Sequence, residues 1–546
     1  MPTRRSFLAT PLAAPLIAQP APRPNVLLIM TDDQGYGDLS IHGNPHLRTP
    51  HMDSIGRQGV QFTQFQVCPV CSPTRASLLT GRYNYRTGVV DTYLGRSMMY
   101  PDEVTLAELL RDAGYRTGIF GKWHLGDNYP MRPIDQGFDE AIVCKGGGIG
   151  QPSDPPGNRY FDPILQNNGK PERFRGYCTD IFADQTIDFI SRNRARPWFA
   201  YLATNAPHTP LDVDERLAAP FLKAGLDDAT AKVYAMVANA DAAAGRVLER
   251  LRKWKLEENT IVIFLTDNGP QQRNRYNAGM RGAKGTVYQG GIRVPFFLRW
   301  PAQIREGRTV DRIAAHIDVL PTLVDACGAA RRGPPIDGRS LMPLLRGESS
   351  GWTDRTLFTQ WHRGDEPEPF RDCAVRTQQY KLINGQELYD MASDAAESKD
   401  ISASNPETVS RLRNAYEKWF RDVSGARGYA PPRIPLGTRY ENPVILTRQD
   451  WRGPQAGWNQ GSLGYWEVEV ATPGKYEITL RVAPAAQDSR VRFRLGGVEQ
   501  TGEVKAGERV CRLDPVALER GPGRLEAEIA AGEGKRGVEY VEARKL

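Results

Sequence analysis

A chain of 546 residues is too long for one simple core and points to two or three domains. Hydrophobic residues at 40% and charged residues at 25% are ordinary for a soluble globular protein. The formal net charge of +7 comes with no basic run and no nucleic-acid motif, so it does not argue for a nucleic-acid partner.

The N-terminus reads Thr3-Arg4-Arg5-Ser6-Phe7-Leu8 and then a modest apolar run to Ala18, the layout of a twin-arginine export signal over residues 1–21. That run is too short and too interrupted by proline to span a bilayer, which takes about 20 apolar residues, and nothing later is long enough either. A periplasmic or extracellular protein with no membrane span is expected. Seven cysteines lie at irregular spacings that fix neither a zinc site nor a disulfide pairing.

Asn25-Val26-Leu27-Leu28-Ile29-Met30 is a continuous apolar run of strand length, the mark of a parallel strand buried on both faces, and it ends in Thr31-Asp32-Asp33. Thr260 to Leu265 repeats the pattern and runs into Thr266-Asp267-Asn268. Arg116 to Phe120 leads to Lys122 and His124, and Trp198 to Leu202 leads to Asn205 and His208. Ligands of open α/β sheets bind beyond the carboxyl ends of the strands, so four strands are expected to deliver polar groups to one rim.

Between these strands, Cys71-Ser72-Pro73-Thr74-Arg75-Ala76-Ser77-Leu78-Leu79-Thr80-Gly81-Arg82 reads as a helix opened by Pro73 and closed by Gly81. Cys71 then sits at a helix N-terminus that favours anions, with the Arg75 fork, suited to a tetrahedral oxyanion, one turn on. Taken alone, Cys71 also fits a buried structural thiol. Thr105 to Asp112 and Ala229 to Lys253 have helical periodicity, and the Gly- and Pro-rich stretch from Gly146 to Gly157 reads as a loop lining a cleft.

From Leu357 the texture changes to short strands, Cys373 to Arg376, Tyr380 to Ile383 and Glu387 to Asp390, followed by a helix from Glu407 to Val423. Ala430 to Pro435 reads as a linker, and alternation in Tyr465 to Val470 and Tyr476 to Arg481 begins an all-β sandwich. Trp451 and Trp458 read as packing residues, with sugar stacking the minority alternative. Modules joined by such linkers usually keep separate cores, so a chain ending near Pro435 is expected to fold alone.

The stretch from Cys71 to Arg82 resembles the signature of the type I sulfatases of the alkaline-phosphatase superfamily, in which the cysteine of C-x-P-x-R is oxidised to formylglycine. The likeness extends over roughly Asn25 to Val423. It implies an α/β fold with a mainly parallel sheet sandwiched by helices over residues 22–350, a smaller antiparallel-sheet-plus-helix subdomain over 351–430, and leaves the sandwich at 436–546 as an accessory domain. It also implies metal ligands at Asp32, Asp33, Asp267, Asn268 and the modified Cys71, and catalytic roles for Arg75, Lys122, His124, His208 and Lys284.

Asp, Asp, Asp and Asn offer only oxygen and select a hard cation, and Ca²⁺ is expected because it accepts 6–8 oxygens flexibly. The implied reaction is hydrolysis of a sulfate monoester of a carbohydrate, with aryl sulfates as artificial substrates, through a formylglycine hydrate and a covalent sulfo-enzyme intermediate. His208 or Lys284 would aid the leaving alcohol, and His124 would deprotonate the diol. A formylglycine-generating enzyme is the implied maturation partner, and a sulfated small molecule or glycan the substrate. Phosphate or phosphonate monoester hydrolysis and non-catalytic glycan binding are the competing readings.

Overall fold

Four apolar runs without alternation have to be covered on both faces, and the computed structural model sets them side by side in a ten-stranded sheet. The structure describes residues 23–348, 350–425, 427–531 and 534–546; the export signal read at 1–21 lies outside them. Asn25–Thr31 pairs in parallel with Thr260–Thr266 on one side and with Trp198–Ala203 on the other. Trp198–Ala203 pairs in parallel with Arg116–Lys122, and that strand with Glu140–Cys144. The register sets Thr31 opposite Thr266 and both Met30 and Gly121 opposite Ala203, so all four strands end at one rim.

Alternate residues of each strand enter opposite cores. Leu28, Tyr201 and Ile263 pack with Ala76, Leu78 and Leu79 and with Leu106, Leu109 and Leu110. Leu27, Ala200 and Val262 pack on the other face with the helices Cys178–Asn193 and Asp228–Lys253. The helix Leu106–Asp112 starts where the sequence suggests because Thr105 caps it, accepting from the Glu108 N–H while Glu108 accepts from Thr105.

The smaller subdomain is a four-stranded antiparallel sheet, Leu357–Gln360, Cys373–Arg376, Tyr380–Ile383 and Glu387–Asp390. The helix Pro406–Ser424 covers it through Leu412, Tyr416, Trp419 and Val423. The C-terminal part is a sandwich of a six-stranded and a five-stranded sheet.

Two expectations about that sandwich are corrected. The stretch read as a linker supplies a strand, Ile434–Leu436, parallel to Tyr465–Val470 at the end of its sheet. Pro435 is tolerated there because an edge strand has one side without ladder bonds. Nor does the sandwich keep a separate core: Leu94, Met98 and Met131 of the α/β part are buried among Ile434, Trp466, Val468 and their neighbours. Gln449 donates to the Thr92 carbonyl at 2.9 Å and to Ser97 Oγ at 3.1 Å, and Glu441 accepts from the Tyr129 N–H at 2.7 Å.

Each of those three side chains contributes about 1.5–3 kcal/mol when buried. A chain ending at Pro435 should therefore be insoluble, or melt at a clearly lower temperature than the intact protein. A truncated chain whose α/β part melts as it does in the full-length protein would show the contact to be incidental.

Candidate active site

The helix that carries the signature runs Cys71–Thr80, two residues earlier than Pro73 would open it. Pro73 still lies in the first turn, where a backbone N–H has no helical partner to lose. Gly81 closes the helix at φ 69°, its N–H donating to the Ser77 carbonyl. All ten helical residues are buried, which fixes the position of Cys71 at the rim of the sheet. Its Sγ lies 3.5 Å from Asp32 Oδ1. Burial, reinforced by Asp32, pushes the Cys71 thiol up, so the environment does not make a thiolate nucleophile.

The acidic pairs from the two central strands meet as their register requires. Asp267 Oδ1 accepts from the Asp33 N–H at 3.2 Å, and Asn268 Nδ2 donates to Asp33 Oδ1 at 2.8 Å. Burial raises the Asp33 carboxyl, but Lys284, His208, Asn268 and Lys122 outweigh it and hold Asp33 below the usual carboxylate range. Asp267 is pushed up to about 6, by burial first and by Asp32 second. Asp32, Asp33, Cys71 and His208 place one possible ligand atom each within 4.8 Å of one another.

Buried cations balance these carboxylates. Lys122 Nζ reaches Asp32 Oδ2 at 2.5 Å, and Lys284 Nζ reaches Asp33 Oδ1 at 2.6 Å. Arg75 donates Nε and Nη2 to Asp267 Oδ2 at 3.1 and 2.7 Å and Nη1 to the Lys122 carbonyl at 3.0 Å. The sequence suggested an Arg75 fork open to an oxyanion; instead the guanidinium is fully buried and its fork is occupied by Asp267. Arg75 thus ties the Asp267 carboxylate to the backbone of Lys122.

Both histidines are buried and held by carbonyls. His124 Nε2 lies 2.7 Å from the Thr92 carbonyl, which only accepts, so Nε2 carries the proton and Nδ1 is left with a lone pair and no partner. His208 Nδ1 lies 2.5 Å from the Thr209 carbonyl, and its Nε2 is 3.8 Å from Asp33 Oδ2. Burial lowers both rings, His208 to about 3. The glycine-rich loop covers them: a Cβ on Gly147 would lie 3.1 Å from the His124 ring, and one on Gly148 3.5 Å from His208 Nδ1.

The local backbone is shaped for this rim. Asp33 and His124 hold φ near 63° and 62°, a region that Asp and His tolerate better than most residues. Gly121, at φ 129°, passes so close to the next strand that a Cβ would stand 1.8 Å from the Ala203 carbonyl oxygen. That approach sets the direction in which Lys122 leaves the strand.

A family model described as Sulfatase matches residues 24–329, and one described as N-sulphoglucosamine sulphohydrolase, C-terminal, matches 283–420. The chain belongs to the sulfatase family. It is 31% identical to human arylsulfatase A over 467 residues, covering 78% of this chain and 88% of that protein. Mouse steryl-sulfatase is 32% identical over 474 residues, covering 67% of this chain and 75% of that one. Among solved structures, Ps i-CgsB in complex with k-i-k-neocarrahexaose superposes with a TM-score of 0.67 at 28% identity, covering 74% of this chain and 95% of that one. This sulfatase is a sulfuric ester hydrolase of the α/β class.

Sequence reasoning missed the groups behind the site. Arg275 forms a buried pair with Asp38 at 2.9 Å and donates to the Asp33 carbonyl, fixing the backbone of the acidic pair. Gln449 of the sandwich shares the Thr92 carbonyl with His124. Neither residue stands in a motif, and only folding brings it near. Removing one partner of a buried ion pair costs about 3–5 kcal/mol. Urea unfolding in chelator should therefore show Arg75→Met destabilised on that scale and Lys284→Met, whose own side chain is 17% exposed, by less; equal losses would show that the fully buried Arg75 pair carries no more of the stability than the Lys284 pair.

Proposed function

We propose that this sulfatase cleaves sulfate monoesters of carbohydrates, with Cys71 converted to formylglycine and one Ca²⁺ held by Asp32, Asp33, Asp267, Asn268 and the modified Cys71. The observation that carries the reading is the meeting of Cys71 with both acidic pairs at the rim of the sheet. The residues fit a hard cation: the four ligands offer oxygen only, and Asn268 Oδ1 is buried with no hydrogen-bond partner. The substrate class is supported by the glycan-bound sulfatase to which the chain is similar.

When bound, the cation would supply Lewis-acid stabilisation of negative charge on the sulfuryl oxygens, and hydrated formylglycine a hydroxyl nucleophile. The chain's own groups then divide the remaining work. Lys122 holds charge beside Asp32 and would be aimed at the nonbridging oxygens of the ester. Lys284 or His208, both directed at Asp33, would carry the proton to the departing alcohol. His124, its Nε2 fixed on Thr92, presents Nδ1 as a base for the diol. The glycine-rich loop over both rings limits water.

Cys71 is 1% exposed, so its oxidation by a formylglycine-generating enzyme has to precede closure of the core. Export through the twin-arginine route is proposed from the first residues of the chain. Among the described residues no helix is long and apolar enough to cross a membrane.

Coexpression with a formylglycine-generating enzyme should convert Cys71 to the aldehyde, visible by peptide mass spectrometry, and raise aryl sulfate turnover in proportion to the converted fraction. Full activity in protein whose Cys71 is still a thiol would overturn the nucleophile. Dialysis against a calcium chelator should abolish turnover, and added Ca²⁺ should restore it to wild type but not to Asp267→Ala. A tightly held zinc ion in the active protein would show the ligand set to be misread.

A further inference from the structure

A row of side chains leaves the site and runs toward the sandwich. Trp361 stands against the turn at Lys284 and Gly285, where a Cβ on Gly285 would lie 3.6 Å from its ring. The Arg363 guanidinium lies 5.5 Å from the Trp361 ring centroid and 5.0 Å from that of Tyr93, with its Nε 3.5 Å from Asp91 Oδ2. Tyr93 meets Trp458 of the sandwich edge to face at 5.3 Å. Asp91 and Tyr93 flank Thr92, whose carbonyl holds His124. The row thus begins beside Lys284, passes behind His124 and ends on the accessory domain.

The row lies at the margin of two hydrophobic cores rather than inside either. The Arg363 side chain is 58% exposed and Trp458 37% exposed, while Trp361 and Tyr93 are half-buried. Trp361 Nε1 is buried without a hydrogen-bond partner and Asp91 Oδ2 has only the ion pair with Arg363, an incomplete pairing that native structures rarely leave unexplained. Aromatic rings with an arginine and a carboxylate between them suit sugars, whose C–H faces stack on rings and whose edges present hydroxyls to charged groups. A fused apolar ring system would instead need a continuous apolar wall, which the Arg363 and Asp91 pair interrupts.

Resting on the carbohydrate sulfatase reading, we propose that Trp361, Arg363, Tyr93 and Trp458 form an extended subsite for the sugars attached to the sulfated residue, so that the preferred substrate is a sulfated oligosaccharide. Trp361 takes the ring next to the reacting one, Arg363 reads its hydroxyls or a neighbouring anionic group, and Trp458 stacks on a more distant ring. A sulfated monosaccharide is too short to reach Trp458. The sandwich thereby becomes part of substrate recognition, because it delivers the last ring of the row.

The test uses the full-length chain with Cys71→Ala, which binds without turning over. Calorimetry compares sulfated hexasaccharides of galactan and glycosaminoglycan backbone with the matching sulfated monosaccharides. At least one hexasaccharide should bind more tightly than its monosaccharide, and Trp458→Ala should cut that preference about tenfold, the worth of one stacked ring. Trp458→Phe should recover most of it, which a folding defect would not allow. The proposal fails if no hexasaccharide is preferred, or if Trp458→Ala weakens both ligands alike. Turnover of nitrophenyl sulfate by the matured wild-type enzyme reports separately on the reaction: oligosaccharide preference without turnover would fault the chemistry and leave the subsite standing.

Discussion

Three carboxylates, Asp32, Asp33 and Asp267, are buried within a few ångströms at the carboxyl ends of adjacent strands, and the rest of the site exists to neutralise them. Burying one unpaired carboxylate costs several kcal/mol, and their mutual repulsion adds to it. Lys122, Arg75 and Lys284 each answer one carboxylate, by 2.5 to 2.7 Å contacts. Burial, with Asp32 adding to it, pushes Asp267 up, whereas the cations and Asn268 around Asp33 outweigh its burial and hold it ionised. A hard cation among these oxygens would relieve the remaining repulsion and the orphaned Asn268 oxygen together.

That concentration of charge is tolerable only because the scaffold around it cannot relax. The helix Cys71–Thr80 is buried along its whole length, and the central strands are locked by parallel pairing. The buried Arg275 and Asp38 pair ties the backbone of Asp33, and left-handed turns at Asp33 and His124 aim both side chains inward. Strain of this kind persists where the surroundings over-determine the geometry, and it is found at functional sites.

The C-terminal sandwich enters the same network. Its core encloses Leu94, Met98 and Met131, and Gln449 shares an acceptor with His124. A module that composition presents as an appendage is therefore joined to the loop at Asp91 to Tyr93, which carries the groups around His124. Trp451 and Trp458 divide accordingly: Trp451 is fully buried in the shared core, whereas Trp458 stays at the surface against Tyr93.

The strands Asn25–Thr31, Trp198–Ala203 and Thr260–Thr266 and the helix Leu106–Asp112 were legible in the sequence because burial on both faces and helix capping are local properties that residue order records. The C-x-P-x-R stretch and the oxygen-only acidic pairs were legible for the same reason, since each places its chemistry within a few residues. What tertiary structure alone decided is where each charge finds its partner. Arg75 is bound by Asp267, with Asp32 also 3.8 Å away, because the fold buries its guanidinium between the ends of two strands, and a Pro-rich linker became an edge strand because the sandwich had an open edge to fill. Arg275, Gln449 and the row from Trp361 to Trp458 join residues far apart in the chain, and only packing brings them together.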